Sequence, residues 1–263
     1  MSITGIILAA VIVGATGCVI GFFLCFSAEK FKVEVDPREE AIMGVLPGNN
    51  CGGCGYAGCS GLAAAIVKGE APCNQCPVGG DEVGAKVSEI MGVEAEAGVK
   101  MVAVVRCAGD CNKASKLYEY TGVEDCNAMA FVPGGGPKAC NYGCMGYGSC
   151  VKACPFDAIH IVDGVAVVDK EACKACGKCV ATCPKQLIEF VPYAAKHVVK
   201  CRNFFKGKDV MNVCQVGCIG CKKCEKVCEH DAIHVDGNIA YIDQTKCDDC
   251  GECSKNCPRG IIT

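Results

Sequence analysis

The chain has no tryptophan, and aromatic residues make up only 6% of its 263 positions. A core must therefore be built without the side chains that bury the most area apiece, and a domain short of them usually needs a covalent or metal staple. No G-x-G-x-x-G follows a strand and no G-x-x-x-x-G-K-[ST] occurs, so nicotinamide, flavin and nucleoside-triphosphate sites are not expected. No Ser-His-Asp or Cys-His arrangement suggests itself, and no catalytic residue is assigned. The formal net charge is only −3, which argues against nucleic acid as a partner. Charge is absent altogether from residues 3–26, and no basic residue precedes them.

That uncharged run is long enough to cross a hydrocarbon core of about 30 Å and lacks the basic leader of a cleaved signal peptide. It reads as a transmembrane anchor. Lys30 and Lys32 follow it directly, so the positive-inside rule places the bulk of the chain on the cytoplasmic side of the inner (plasma) membrane, with the lipid bilayer as a partner. Cys18 and Cys25 lie within the run and read as plain apolar residues.

Cysteine is abundant instead, with 28 residues. Most sit at gaps of two or three residues, too tight for a general disulfide framework and suited to wrapping one metal centre. After a charged linker (Glu34 to Glu40) the first group is Cys51-x2-Cys54-x4-Cys59, in a loop rich in glycine, with a helical pattern starting at Ser60. Cys59 then lies near a helix N-terminus, which favours a thiolate. Cys76 is the expected fourth ligand and Cys73 its competitor. A structural zinc site is the plainer alternative, although zinc sites usually pair two hooks of similar shape.

The C-terminal half repeats itself with an offset of 74 residues. The first copy reads Cys150-x3-Cys154-Pro155, then Cys173-x2-Cys176-x2-Cys179-x3-Cys183-Pro184. The second reads Cys218-x2-Cys221-x2-Cys224-x3-Cys228, then Cys247-x2-Cys250-x2-Cys253-x3-Cys257-Pro258. The run C-x2-C-x2-C-x3-C-P is the pattern of two-cluster bacterial ferredoxins, in which the fourth cysteine serves the other cluster. On that rule Cys154, Cys173, Cys176 and Cys179 share one [4Fe–4S] cluster. Cys218, Cys221, Cys224 and Cys257 share a second, and Cys228, Cys247, Cys250 and Cys253 a third. The segments from His160 to Val168 and from His234 to Ile242 read as β-hairpins around Asp163-Gly164 and Asp236-Gly237; both histidines read as exposed strand residues rather than ligands.

The remaining ferredoxin site breaks the rule, because Tyr147 stands where the second copy has Cys221. Cys140, Cys144, Cys150 and Cys183 are its expected ligands, with Cys140 supplying the missing thiolate. Cys214 occupies the place of Cys140 in the second copy and looks spare. Cys107, Cys111 and Cys126 are left over as a possible further site. Val104-Val105-Arg106-Cys107 echoes Val198-Val199-Lys200-Cys201, as though both began equivalent strands.

An apolar N-terminal run, Cys51-x2-Cys54-x4-Cys59-x16-Cys76 and then ferredoxin repeats together resemble the B subunit of the Rnf complex (RnfB). Corrinoid iron–sulfur proteins carry a similar first site without this arrangement. The resemblance implies an electron-transfer subunit of an ion-translocating (Na+ or H+) ferredoxin:NAD+ oxidoreductase. It would take electrons from reduced ferredoxin and pass them through [4Fe–4S] clusters, five assigned and a sixth possible, toward NAD+ reduction on another subunit. It also implies Cys51, Cys54, Cys59 and Cys76 as the first cluster's ligands. The second repeat, absent from shorter members, suggests a longer wire. The competing readings are a membrane-anchored polyferredoxin subunit of another oxidoreductase, and a cluster-bearing docking or redox-sensing module. The expected fold is α+β: an N-terminal transmembrane helix, a small Cys-rich iron–sulfur domain and two tandem ferredoxin-like two-cluster units. The expected boundaries are 1–28, 29–100, 101–135 (a connecting segment), 136–193 and 194–263.

Overall fold

With no tryptophan to anchor it, the apolar interior divides into three small cores, each incorporating cysteines. The computed structural model describes residues 3–30, 36–94 and 98–263.

Ile3–Lys30 forms helix α1, whose large apolar side chains, Phe22 and Val13 among them, are exposed. The expected membrane span does not hold: among the described residues no helix is long and apolar enough to cross a membrane. This overturns the transmembrane element of the expected α+β fold. The single-span inner-membrane location, with the cytoplasmic orientation drawn from it, falls with it. Lys32 and the start of the linker at Glu34 lie outside the described residues.

The first core joins three helices: α2 (Pro37–Val45), α3 (Gly58–Val67) and α4 (Gly80–Met91). Asp36 caps α2 by accepting from the Arg38 backbone N–H at 2.9 Å, and Pro37 fills the first helical position, where an N–H would lack a partner anyway. Ile42, Leu62, Ile66 and Val87 are almost wholly buried where the three helices meet.

The second core belongs to the first ferredoxin-like unit. β1 (Met101–Val105) pairs antiparallel with β4 (Ile188–Pro192), in register Val105↔Ile188. The expected connecting segment therefore contributes a strand to this unit. Between them β2 (Ile159–Val162) and β3 (Val165–Val168) form a hairpin, turned by Asp163 and Gly164 at φ 48° and 76°, the left-handed pair a type I′ turn needs. One-turn helices α5 (Ser149–Lys152) and α6 (Lys178–Thr182) present its cysteines.

The third core repeats the plan. α7 (Gly207–Val213), α8 (Lys223–Lys226) and α9 (Glu252–Lys255) flank the hairpin of β5 (Ile233–Asp236) and β6 (Ile239–Ile242). Its turn falls at Gly237 and Asn238, φ 53° and 68°, one residue beyond the expected Asp236-Gly237. A bridge Val199↔Ile262 stands where the first unit has Val105↔Ile188, so the echoed valine segments do occupy equivalent places.

Candidate functional site: six cysteine quartets

The first site is shaped by backbone that turns left-handed at Asn50, Gly52, Gly55 and Gly58. Asn50 Oδ1 accepts from the Cys59 N–H at 2.8 Å and so fixes Cys59 in the first turn of α3. Cys76 approaches from the loop before α4 and accepts from the Gly79 N–H at 3.4 Å. Burial pushes the Cys76 thiol up, the Gly79 and Val78 amides pull it down, and the neighbouring Cys54 and Cys59 raise it again. Cys54, Cys59 and Cys76 thus face one another. Cys73 packs against the same core. This site abuts the first ferredoxin-like unit: a side chain on Gly53 would put its Cβ 2.7 Å from the Cys176 carbonyl oxygen, and Cys51 lies close enough to Cys176 to raise its thiol.

In that unit Cys179 is pushed up to about 11 by burial, then by Cys176, Cys173 and Cys154. These are the four cysteines expected to share a cluster, and β1 supports them through Ala103 N–H to Cys173 Sγ at 3.5 Å. In the second unit Cys224 is pushed up to about 11 by burial, with Cys218, Cys221 and Cys257 adding to it; those four line one cavity. Cys253 is raised by burial and by Cys247, Cys228 and Cys250, and those four line another.

The fourth ferredoxin-type site differs from the expected set. Cys150 is pushed up to about 12 by burial, then by Cys144, Cys126 and Cys183. Cys126 arrives from the loop before the unit, held by its own N–H to Ser149 Oγ at 2.9 Å, while Ser149 Oγ donates to Asp125 Oδ2 at 2.8 Å. Cys140 is turned elsewhere, toward Cys107 and Cys214, and lines a cavity with Cys107, Cys201 and Cys214. Tyr147, in the place of Cys221, sits against Tyr120 with ring centroids 6.0 Å apart. The gap it leaves is the sequence signal that a thiol must come from outside the run; nothing in the spacing selects Cys126 over Cys140. Cys111 is exposed.

Among the described residues, the group of three or more potential ligands with all donor atoms within 4.8 Å of one another is His230, Asp248 and Cys250, all exposed. The cysteine quartets are more open. A tetrahedral zinc site with Zn–S near 2.3 Å draws its sulfurs to about 3.8 Å apart, whereas a cubane needs them spread around its corners. All 28 cysteines are free thiols. Backbone amides already point at several sulfurs, as in Leu187 N–H to Cys183 and Ala232 N–H to Cys228, both 3.4 Å. Such donors stabilise negative charge on cluster sulfur. The cysteines therefore fit [4Fe–4S] clusters better than single ions. His160 and His234 are exposed and face acidic neighbours. Most quartets are shielded, but Cys221 and Cys250 are exposed.

Comparison with known proteins agrees with this chemistry. An Fe-S cluster family matches residues 46–78, and 4Fe-4S dicluster domains match residues 136–184, 172–232 and 217–261. The B subunit of the Na(+)-translocating ferredoxin:NAD(+) oxidoreductase complex of Acetobacterium woodii is 47% identical over 96% of this chain and 76% of its own length. The B subunit of the ion-translocating oxidoreductase complex of Methanosarcina acetivorans is 45% identical over 95% of both chains. The B subunit of the proton-translocating ferredoxin:NAD(+) oxidoreductase complex of Clostridium ljungdahlii is 42% identical over 98% of this chain and 92% of the relative. With iron–sulfur domains along most of its length and relatives of this closeness over nearly all of it, the chain belongs to the family of Rnf complex B subunits.

Proposed function

We propose that this chain accepts electrons from reduced ferredoxin and relays them toward NAD+ reduction on another subunit of an ion-translocating complex. Five [4Fe–4S] clusters would be held by Cys51, Cys54, Cys59 and Cys76; by Cys154, Cys173, Cys176 and Cys179; by Cys126, Cys144, Cys150 and Cys183; by Cys218, Cys221, Cys224 and Cys257; and by Cys228, Cys247, Cys250 and Cys253. When bound, each supplies a reversible one-electron site. The protein's part is to hold the sulfurs, donate amide hydrogen bonds to them and keep water away. The observation that carries this reading is continuity. The first quartet's loop abuts the second quartet where Gly53 meets the Cys176 backbone, and Cys150 within α5 and Cys154 just beyond its end belong to different quartets.

The second unit offers an entry edge. Cys221 is exposed and is followed by the exposed Lys222, Lys223 and Lys226, a basic surround that suits an acidic electron carrier. The test is to mix the full chain, prepared without oxygen, with reduced ferredoxin and follow visible bleaching alongside iron and acid-labile sulfide. Bleaching with about 20 Fe or more per chain is expected. An iron-poor, zinc-bearing chain that ferredoxin leaves unreduced would overturn the reading.

A further inference from the structure

Building on that cluster reading, we propose that Cys107, Cys140, Cys201 and Cys214 hold a further [4Fe–4S] cluster at the junction of the two ferredoxin-like units, half of it built by each.

The two halves are equivalent. Cys140 and Cys214 are 74 residues apart, the offset of the repeat. Cys107 lies two residues after Val105, which pairs with Ile188; Cys201 lies two residues after Val199, which pairs with Ile262. Each of these sulfurs accepts a backbone N–H from the same repeat position: Cys144 donates to Cys107 Sγ and Cys218 donates to Cys201 Sγ, both at 3.4 Å. The bridge Ala114↔Cys214 carries the first unit's approach segment onto the second unit, which brings the two pairs together.

All four cysteines line one cavity of about 20 Å³. The cavities at the motif-defined sites of the second unit measure about 20 and about 10 Å³, so this one is of the same size. Glycine lets the backbone come close, since a Cβ on Gly109 would lie 3.2 Å from Cys214 Sγ. The buried Asn203 donates to Cys140 Sγ at 3.4 Å.

Charge points the same way. Arg106, Lys138, Lys200 and Arg202 line the cavity. Lys138 is only 8% exposed, and its Nζ donates to the carbonyls of Gly109 at 2.8 Å and Cys144 at 2.6 Å. Among the described residues no carboxylate pairs with it in an ion pair. A buried cation is costly unless negative charge faces it, and a cluster ligated by four thiolates is anionic. On loading, the four thiols release their protons to solvent as iron and sulfide enter, so the iron–sulfur bonds replace S–H bonds one for one.

Position gives the site a role. Cys144, which donates to Cys107, belongs to the Cys126, Cys144, Cys150 and Cys183 quartet; Cys218, which donates to Cys201, belongs to the first quartet of the second unit. The shared cluster therefore stands between them and joins two relays into one.

Iron, acid-labile sulfide and the native mass of the full chain, prepared without oxygen, test this against a variant carrying both Cys201→Ser and Cys214→Ser. About 24 Fe in the parent and about 20 in the variant are expected, with one reduced-cluster paramagnetic signal lost and the others kept. About 20 Fe in both would overturn the shared site and leave the five-cluster relay standing. Little iron in either would overturn both. If the variant does not fold, alkylation of the parent decides: the four cysteines should resist until a chelator strips iron and then react together, while Cys111 reacts throughout. Reaction of the four in iron-loaded protein would overturn the proposal.

Discussion

Single residues decide how closely the cluster sites approach one another. Gly53 carries no side chain because the Cys176 carbonyl occupies the place of its Cβ, at 2.7 Å. Gly53→Ala should force the first domain away from the first unit and cost about 1–3 kcal/mol, read as a lower urea midpoint; an unchanged midpoint would show that the contact gives freely. The thiols respond to pH in a direction fixed by their burial. Burial raises Cys150 to about 12 and Cys179 and Cys224 to about 11 in the folded chain, from about 8.5 when unfolded. Because these values are raised, the stability due to neutral thiols in the cluster-free fold is complete below pH of about 8.5 and is lost as pH climbs toward 11–12. Cluster loading removes those protons. Iron uptake at fixed iron and sulfide should therefore increase between pH of about 7 and 9, and uptake that falls over that range would contradict the burial of these sulfurs. The grouping of the run cysteines into neighbouring sets was legible in the sequence because their local spacing brings them together. Cys126 was not, since it reaches Cys150 through a loop whose path rests on the Asp125–Ser149 hydrogen bond. Cys140 fits the expected spacing and yet faces the other way.

Among the elements, both hairpins could be read from short alternating strands around Asp-Gly. The second turn slipped by one residue because Asn238 also tolerates the left-handed region, leaving Asp236 in the strand. Gly164→Val places a β-branched residue at φ 76° and should cost about 1–2 kcal/mol, measurable as a lower melting temperature. Asp163→Gly at the neighbouring position should be far milder. The valine echo already hinted at a strand through Val104 and Val105, but its pairing was not foreseen, because the partner β4 lies beyond the hairpin and five residues cannot announce a distant pairing. For α1, an uncharged run suggested a span that the helix does not provide. At the start of α8 and along it, changing Lys222, Lys223 and Lys226 together to glutamate should slow electron acceptance from ferredoxin roughly tenfold at low salt and reverse its salt dependence, with iron content unchanged. A rate insensitive to both charge and salt would place the entry edge elsewhere.

For the molecule as a whole, the 74-residue repeat made the tandem units plain, while their mutual docking was hidden. Arg106 is a chief fastening. Its guanidinium, 7% exposed, pairs with Glu189 of the first unit at 3.4 Å and donates to the Val199 and Ala240 carbonyls of the second at 3.3 and 3.0 Å. Arg106→Met leaves those acceptors without a donor and should cost about 3 kcal/mol, with the two units separating as distinct unfolding steps in denaturant; a single unshifted transition would assign the docking to other contacts. Removing residues after about Lys200 should abolish ferredoxin-driven reduction of the rest of the chain if the entry edge lies in the second unit, and unchanged reduction would exclude that route.

The exposure of Cys221 and Cys250, set against the burial of Cys59, Cys76, Cys150 and Cys179, also fixes how the molecule ages in air. Among the sulfurs of the proposed cluster sites, oxidants meet these two of the second unit first, so bleaching by oxygen should run inward from that unit. The face open enough to receive an electron is then the face that corrodes first, and a partly inactivated preparation would keep its inner iron while losing its contact with the donor.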